Sequence, residues 1–233
     1  MEFKTDALLL RAVDYGENDK MVTLLTAERG KLGAGLKGVK KAGAKLKFAA
    51  QPFCFAEYVL AERGGRYTVT GCSLHDGFFA LREDIRAFYA ASIVTAACDG
   101  LVFEGAESGE MLVAAVSALG EMCGDDPSFA LVKFLLKALA VSGYPVAADN
   151  CPVCGEQLSG RMAFDMQRGS FCCSGCTDGV PASESTYLTV RAALGKGAAH
   201  PKDGEKRALR LLGAYYTWQT DGELGALREY LTL

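Results

Sequence analysis

The chain has 233 residues, half of them apolar, with 25 Lys and Arg against 28 Asp and Glu and a formal net charge of −3. This balance excludes a disordered chain, which would combine low hydrophobicity with high net charge. No run approaches the ~18 consecutive apolar residues of a membrane span, and residues 1–6 contain acids where a signal peptide needs a basic region. We therefore expect a globular protein of the cytoplasm, without membrane association, that forms one large domain or two modest ones.

Five short apolar segments precede residue 80 and predict β-strands. They are separated by turn sequences such as Asp14-Tyr15-Gly16, and the Gly64-Gly65 pair between the last two indicates a hairpin. Five strands in so short a stretch favour closure into a barrel, because closure removes exposed edges. A five-stranded OB-type barrel fits this count, although spacing alone does not separate it from an SH3-like barrel. The predicted strands cover residues 7–13, 21–26, 32–39, 53–61 and 67–74.

Beyond Asp84 the apolar residues recur at helical spacing. The clearest helix begins after Asp126, an N-cap residue followed by Pro127, and ends before Gly143. We therefore predict an α+β protein, with an OB-fold domain over residues 1–80 and an α-helical domain over residues 81–233. A segment of different character, at about 149–181, interrupts the helical domain. The other predicted helices cover residues 85–101, 112–122, 186–194, 205–218 and 224–231.

Four of the nine cysteines form a double Cys-x-x-Cys pattern in this insertion. Cys151 and Cys154 are separated by 18 residues from Cys173 and Cys176. Four thiolates on two such turns suit tetrahedral zinc and leave no open position for a catalytic water, so the pattern predicts one structural Zn²⁺. Reactive dithiols or disulfides are the alternative, and Cys172 competes with Cys173, which we prefer because it completes the second motif. Four other cysteines in apolar stretches are expected to be buried small hydrophobes: Cys54, Cys72, Cys98 and Cys123.

Enzyme signatures find little support in the chain. Residues 33–38 spell the dinucleotide-binding string, but a basic, glycine-interrupted segment follows instead of an amphipathic helix. No Walker A sequence occurs, and the His-x-Glu element of a zinc deaminase is missing. We therefore expect a protein that is not an enzyme and takes no small-molecule substrate.

A basic segment stands out against the acidic average. Residues 29–56 carry seven Lys and Arg and no acid, whereas the rest of the chain carries 18 basic and 28 acidic residues. Because lysine is costly to bury unpaired, these side chains reach solvent, where they favour contact with a polyanion; a merely solvated face is the alternative. OB barrels bind single strands by combining a positive groove with aromatic platforms. The candidate platforms, each of which also fits a core position, are Tyr15, Phe48, Phe53, Phe55, Tyr58 and Tyr67.

An ordered succession of short motifs resembles the RecO family of recombination mediators. It includes Leu8-Leu9-Leu10-Arg11, Asp14-Tyr15-Gly16-Glu17, Gly30-Lys31, Leu36-Lys37-Gly38 and Cys151-Pro152-Val153-Cys154-Gly155. The resemblance covers nearly the whole chain and implies an N-terminal OB fold, an α-helical C-terminal domain and a zinc-binding insertion. It also implies binding to single- and double-stranded DNA, annealing of complementary strands, and cooperation with RecR and the single-stranded-DNA-binding protein in loading RecA. The expected location is the bacterial cytoplasm, at the nucleoid.

With this resemblance, the basic segment becomes a predicted DNA-binding surface that contacts phosphates without reading bases. In the helical half, Arg207 and Arg210 lie beside Leu211 and predict a site for an acidic tail such as that of the single-stranded-DNA-binding protein; a solvated helix face is the alternative. The rival hypothesis is a zinc-containing RNA- or ribosome-associated binding module. The leading DNA-binding candidates are Lys37, Lys40, Lys41, Lys45 and Lys47, and the weaker ones are Arg11, Lys31 and Arg66.

Overall fold

The structure, a computed structural model, describes residues 1–124, 126–197 and 200–233. It confirms the predicted α+β class, with a closed five-stranded barrel in the N-terminal part and mostly helices in the remainder. The chain forms two compact units, Met1–Asp125 and Asp126–Leu233. The division into domains at residue 80 stays a prediction. Among the described helices, none has the length and apolar character that a membrane crossing requires.

The barrel has the strand order β1-β2-β3-β5-β4 and closes where β4 pairs with β1. β3 and β5 run parallel, whereas the other neighbouring strands are antiparallel. β4 and β5 are joined through the predicted Gly64-Gly65 turn, which Arg63 and Arg66 flank as a pair. The strands are β1 (Glu2–Tyr15), β2 (Asp19–Thr26), β3 (Gly30–Leu36), β4 (Phe55–Arg63) and β5 (Arg66–Asp76).

Alternation of side chains along the strands fills the barrel interior. On β3, Leu32, Ala34 and Leu36 are buried, as the two-residue period of a strand requires. Tyr58 on β4 is fully buried, and its hydroxyl donates a hydrogen bond of 3.0 Å to the carbonyl of Ala49. The hydrogen bond satisfies the hydroxyl, the one polar group of a side chain whose ring is otherwise part of the apolar core.

The largest differences from the predicted strand ends are at the start of β1 and at the end of β3. β1 begins at Glu2, earlier than predicted, because its polar first residues pair with β4 through Glu2 and Ala61. β3 ends at Leu36 rather than residue 39, because the chain turns at Gly38, whose φ is +65°. The carboxylate of Asp19 holds this turn by accepting a 2.7 Å hydrogen bond from the Gly38 N–H. The basic loop that follows, residues 37–54, has no regular structure except a 3-10 turn at Lys47–Ala50.

The predicted helix starts and ends are close to those observed. The carboxylate of Asp126 caps its helix by accepting a 3.0 Å hydrogen bond from the N–H of Ser128, and Pro127 is the first helical residue. Gly143, with φ +91°, follows the end of the same helix. The helices are α1 (Ile85–Leu101) and α2 (Gly109–Glu121) in the first unit, and α3 (Pro127–Val141), α4 (Glu184–Ala193), α5 (Lys202–Thr220) and α6 (Gly225–Tyr230) in the second.

The cysteine-rich insertion contains a small antiparallel sheet that the sequence did not predict. Its strands are β6 (Met162–Asp165), β7 (Ser170–Cys173) and β8 (Val180–Ala182), in the order β7-β6-β8. Strands of three or four residues are too short to show a period. Phe164 and Phe171 are fully buried and meet edge to face with ring centroids 5.2 Å apart, and Phe164 also packs against Tyr215 of α5.

Candidate nucleic-acid groove and metal centre

The outward face of β3 is bare in its middle. Between Lys31 and Lys37, the two outward positions are Gly33 and Gly35. Neither glycine has a left-handed φ; a Cβ on Gly33 would have no neighbour within 4 Å, and one on Gly35 would make only ordinary contacts. Glycine within a strand is about 0.5–1 kcal/mol less favourable than alanine. Glycines that neither backbone conformation nor crowding requires are typical of a surface that a ligand approaches closely.

A groove of about 540 Å³ lies over this bare face. It opens between the β1–β2 and β4–β5 turns, whose counterparts in OB folds bind oligonucleotides. Tyr15 and Tyr67 provide its aromatic surfaces, and Tyr67 is braced edge-on by Phe3 at a centroid distance of 5.9 Å. The acid in its lining is Asp19, which holds the Gly38 turn. The basic lining residues are Lys20, Lys37 and Arg66.

A second cavity, of about 510 Å³, continues the groove toward the start of β3. The two share Gly33, Gly65 and Tyr67, and the second adds Arg29 and Lys31. It also contains Glu104, from the segment between α1 and α2. We call the two cavities together the β3 groove.

Some of the predicted DNA-binding lysines are engaged in ion pairs. The two carboxylate oxygens of Asp14 lie 2.9 Å from Lys20 Nζ and 2.8 Å from Lys40 Nζ. Hydrogen bonds from Lys40 and Lys20 lower the pKa of Asp14 to about 2. Lys31 Nζ lies 3.2 Å from the carboxylate of Asp99 on α1. A phosphate must therefore compete with a carboxylate for Lys31 and Lys40.

Other predicted cations are exposed and uncommitted. Within residues 1–124, 126–197 and 200–233, the side chains of Lys37, Lys41, Lys45 and Arg66 have no ion pair. Lys37 and Arg66 line the β3 groove, whereas Lys41 and Lys45 lie in the basic loop. Lys47 is also in this loop and donates a 3.2 Å hydrogen bond to the carbonyl of Ala42.

The remaining predicted residues are distributed between the core and a different face. Arg11 does not line the β3 groove and instead lines a cleft beside α1. Of the candidate aromatic platforms, Phe53 and Tyr58 are buried. Phe48 and Phe55 lie outside the β3 groove, which leaves Tyr15 and Tyr67.

The sequence reasoning missed the contribution of Gly33 and Gly35. Both glycines belong to residues 33–38, which match the dinucleotide-binding string but are not followed by the helix that this motif requires. A signal was present, because residues 31–37 alternate buried apolar residues with Lys or Gly. Lys20 was also missed, and its position in the groove follows from the pairing of β2 with β3 rather than from a local pattern. Arg29 belongs to the predicted basic segment but was not among the named DNA-binding candidates.

The four predicted metal ligands come together in the second unit. The Sγ atoms of Cys151, Cys154, Cys173 and Cys176 all lie within 4.8 Å of one another. The Sγ atoms of Cys154 and Cys173 are 3.8 Å apart, which matches the edge of about 3.8 Å of a tetrahedron with Zn–S bonds of about 2.3 Å. The donor set therefore fits zinc, with every position of the tetrahedron supplied by the protein.

Backbone hydrogen bonds prepare one of these thiols for ionisation. N–H groups of Cys154 and Cys173 lower the pKa of Cys151 to about 6, and the Cys173 N–H lies 3.5 Å from its sulfur. Burial and the Cys154 thiol raise the pKa of Cys173 to about 11, and contacts with the Cys154 thiol and burial raise that of Cys176 to about 12. Close negative charges oppose further ionisation, so four thiolates require a cation among them.

Neighbouring polar residues fasten the second cysteine turn to the sheet. The carboxylate of Asp165 accepts hydrogen bonds of 3.0 Å from the N–H of Arg168 and from the hydroxyl of Thr177. Although burial opposes it, hydrogen bonding from Arg168 and Thr177 lowers the pKa of Asp165. This carboxylate therefore links the turn between β6 and β7 to the residue after Cys176.

The other cysteines follow the sequence prediction in part. Cys172 is buried outside the sulfur cluster, and its thiol donates to the carbonyl of Ser170 at 3.8 Å. Cys54 and Cys98 are buried as predicted, and Cys72 is half-buried. The prediction for Cys123 is wrong, since this residue is exposed in the turn after α2.

Arg207 and Arg210 lie together on α5, at the edge of a pocket of about 290 Å³. Val180, Pro181 and Leu211 supply apolar lining. The Arg207 guanidinium lies 3.5 Å from the carboxylate of Asp203 and 3.3 Å from the hydroxyl of Ser185, so it is partly engaged. The pocket therefore combines two cations with a small apolar surface.

Comparisons with known proteins cover both units. Residues 1–78 match the family model described as Recombination protein O N terminal, and residues 82–228 match that described as Recombination protein O C terminal. The DNA repair protein RecO of Myxococcus xanthus strain DK1622 is 34% identical over 217 residues, which is 88% of this chain and 86% of that protein. The DNA repair protein RecO of Anaeromyxobacter sp. strain K is 36% identical over 197 residues, covering 82% of this chain and 77% of that protein. That of Pelotomaculum thermopropionicum is 29% identical over 226 residues, covering 97% and 81%. This chain therefore belongs to the RecO family of DNA repair proteins.

Proposed function

We propose that this chain is a recombination mediator that binds single- and double-stranded DNA, anneals complementary strands and catalyses no covalent reaction. The observation that carries the proposal is the β3 groove, in which Lys37 and Arg66 flank the bare face at Gly33 and Gly35. Membership of a family of DNA repair proteins supports DNA as the polyanion.

The groove suits a single strand because it combines cations with flat surfaces. Lys37 and Arg66 neutralise phosphates, and unpaired bases pack against Tyr15, Tyr67 and the exposed peptide groups of β3. Such contacts do not read base edges, so binding is independent of sequence and release of counterions dominates the affinity. Duplex DNA, whose bases are stacked inside, contacts the lysines of the basic loop through its phosphates alone.

Annealing follows from neutralisation of charge. Two complementary strands repel each other through their phosphates, and this repulsion acts over a Debye length of about 10 Å at 0.1 M salt. A protein surface that replaces the counterions of both strands lowers this barrier without any reaction at a bond. No nucleotide hydrolysis is needed for this step.

We propose that the four cysteines hold one structural Zn²⁺ through Cys151, Cys154, Cys173 and Cys176. When bound, the ion supplies a cross-link between the two cysteine turns, with no open coordination position for catalysis. Asp165 orients the second turn through Thr177. The role of the ion in this proposal is to stabilise the fold of the insertion.

The Arg207–Arg210 pocket is the proposed contact for the acidic tail of the single-stranded-DNA-binding protein. Its two guanidinium groups suit carboxylates, and its apolar lining, which includes Val180 and Leu211, suits an apolar residue at the end of such a tail. We further propose that the protein acts with RecR to assist RecA loading on strands coated by that protein, at the nucleoid in the bacterial cytoplasm.

The test is annealing of complementary DNA strands coated with the single-stranded-DNA-binding protein. The rate of annealing is measured by energy transfer between dyes on the strand ends. Addition of the full chain is expected to accelerate annealing, and excess unlabelled single-stranded DNA is expected to compete better than a hairpin RNA. Stronger competition by the hairpin RNA would instead favour an RNA- or ribosome-associated binding module. Failure to bind or anneal DNA at low salt would contradict the proposal.

A further inference from the structure

A separate cleft, of about 430 Å³, lies on the first unit beside the β3 groove. One wall is the outer surface of β1 around Arg11, a second is the segment Gln51-Pro52-Phe53, and a third is α1 at Phe88. We call it the Arg11 cleft. Phe53 and Phe88 meet edge to face, with ring centroids 5.4 Å apart, and form its apolar base.

Irregular backbone shapes this cleft. The pairing of β1 with β2 shifts from Leu9 opposite Leu24 to Arg11 opposite Thr23, so Leu10 is an extra residue in the strand. Such a bulge redirects the side chain that follows it. On the opposite wall, the buried Phe53 has φ +66°, an unfavourable conformation for an aromatic residue. The backbone thus departs from regular geometry on both sides of the cleft, in a barrel strand at Leu10 and in the basic loop at Phe53.

The cleft is positive although the whole chain has a net charge of −3. Among the residues that the structure describes, its lining contains Arg11 and Lys20 and no acid. Arg11 is exposed and forms no ion pair within the described part of the chain, whereas Lys20 is paired with Asp14. An exposed arginine in a cleft that also contains Phe88, a ring that is 37% exposed, is suited to a phosphodiester chain, whose phosphates take the charge while a base packs against the ring.

Lys20 connects the cleft to the β3 groove, because it lines both. The two cavities are therefore adjacent at the start of β2. Since this residue is common to both, strands in the two cavities would approach each other there.

We propose that the Arg11 cleft binds a second nucleic-acid strand while the first lies in the β3 groove. This inference rests on the proposed DNA-binding function and gives annealing a physical site, at which one molecule holds two strands side by side. The absence of acid from the lining and the continuity through Lys20 favour a nucleic-acid strand over an acidic peptide as the occupant.

The experiment uses the full chain and two oligo-dT strands, one with a donor dye and one with an acceptor, which cannot pair with each other. The affinity for the first strand is measured by anisotropy. The affinity for the second strand is then measured by energy transfer, with protein that is already saturated with the first strand. Mass photometry identifies complexes of one chain with two strands. The annealing rate of complementary strands is measured in parallel.

The substitution Arg11→Ala is expected to change the affinity for the first strand by no more than about twofold. It is expected to lower both the affinity for the second strand and the annealing rate by about fivefold, the scale of one charge-assisted contact. Arg11→Lys, which restores the charge, is expected to recover most of the loss, and Gln51→Glu, which adds an acid to the cleft, to reproduce it. Arg228→Ala removes an exposed arginine from α6 and is the matched control. Circular dichroism and melting confirm the fold of each variant.

Three results would overturn the proposal. Equal losses for the first and second strand in Arg11→Ala would place Arg11 on the path of a single strand. Unchanged second-strand affinity in both Arg11→Ala and Gln51→Glu would exclude a strand from the cleft. Displacement of the second strand by an acidic peptide, with loss of peptide binding in Arg11→Ala, would identify a peptide site instead. If the unmodified protein does not bind even the first strand, the proposed DNA-binding function is wrong as well. If it binds the first strand but one of the three results above is obtained, only the inference about the Arg11 cleft is wrong.

Discussion

The cysteine cluster and the β3 groove assemble functional groups in opposite ways. In the cluster, four sulfur atoms within 4.8 Å of one another come from two short motifs, and the chemistry lies in the side chains. In the groove, the outward positions in the middle of β3 are Gly33 and Gly35, which have no side chains and leave the backbone exposed there. One site therefore depends on which groups are present, and the other depends also on which groups are absent. Substitutions at the two sites should therefore act on different properties.

The largest expected effect is on stability, at the cysteine cluster. Removal of zinc by a chelator, or Cys154→Ser with Cys176→Ser, is expected to lower the free energy of unfolding of the second unit by roughly 5 kcal/mol or more, because structural zinc contributes ~10–16 kcal/mol in isolated zinc fingers. Metal analysis and denaturant unfolding measure this effect. Cys172→Ala is the control, with one zinc retained and a loss of about 1–2 kcal/mol from the buried thiol. Unchanged stability after complete metal removal would contradict a structural role.

The groove should respond in the reverse manner, with a loss of binding and no loss of stability. Gly33→Val with Gly35→Val is expected to weaken single-stranded DNA binding by about tenfold or more, near 1.4 kcal/mol. The side chains would cover the bare face, while the free energy of unfolding should rise by up to ~1 kcal/mol because valine favours strands. Anisotropy and thermal melting measure the two effects. Ser73→Val, at an exposed position of β5 outside the groove, is the control for added bulk, and equal affinity in both variants would show that the bare face is not used.

A smaller effect is expected on the salt dependence of DNA binding, and it differs between cations that form no ion pair and cations that do. Lys37→Ala with Arg66→Ala is expected to flatten the slope of log K against log salt by about 1.4, since each lost phosphate contact on a single strand is worth about 0.7. Lys31→Ala with Lys40→Ala is expected to flatten it by less than ~0.7, because these lysines must first leave Asp99 and Asp14. Titrations over a range of salt measure both slopes. Equal slopes for the two double variants would remove the distinction.

The smallest effect is on the titration of Asp14. Because Lys40 and Lys20 lower its pKa from 3.8 to about 2, the ion pairs stabilise the fold above pH 3.8, and this contribution is lost as the pH falls through about 2. Lys40→Ala is expected to move the pKa of Asp14 upward, toward its ordinary value. Carboxyl NMR measures the shift, with Lys41→Ala as the control. The same pKa in both variants would mean that Lys40 is not paired in solution, and that it belongs with Lys37 among the uncommitted cations.

The elements of the fold were accessible to sequence reasoning to different degrees. The five strands and the helix after Asp126 were predicted because periodicity and capping are local properties of the chain. The first five residues of β1 were missed because they pair with β4 and bury little on either face. The strands of the cysteine insertion were missed because each is only three or four residues long.

The candidate sites show the same division. The cluster of four cysteines was predicted because two short motifs place the thiols on turns, and a tetrahedral set of sulfur atoms needs little else. The groove could not be assembled from the sequence, because the parallel pairing of β3 with β5 places Lys37 and Arg66 in the lining of one groove. The predicted DNA-binding set also joined residues that the structure separates, since Arg11 lines another cleft.

Three features could be recognised in the amino-acid sequence without a structure: a basic segment of seven cations, four cysteines at metal-binding spacing, and strand and helix periods that specify the fold class. These are properties of residue type and short-range spacing. The folded structure was needed to show which cations are paired, which line the β3 groove and which glycines form its floor. The physical reason is that charge pairing and surface shape depend on atoms brought together from distant parts of the chain, as with Lys31 and Asp99.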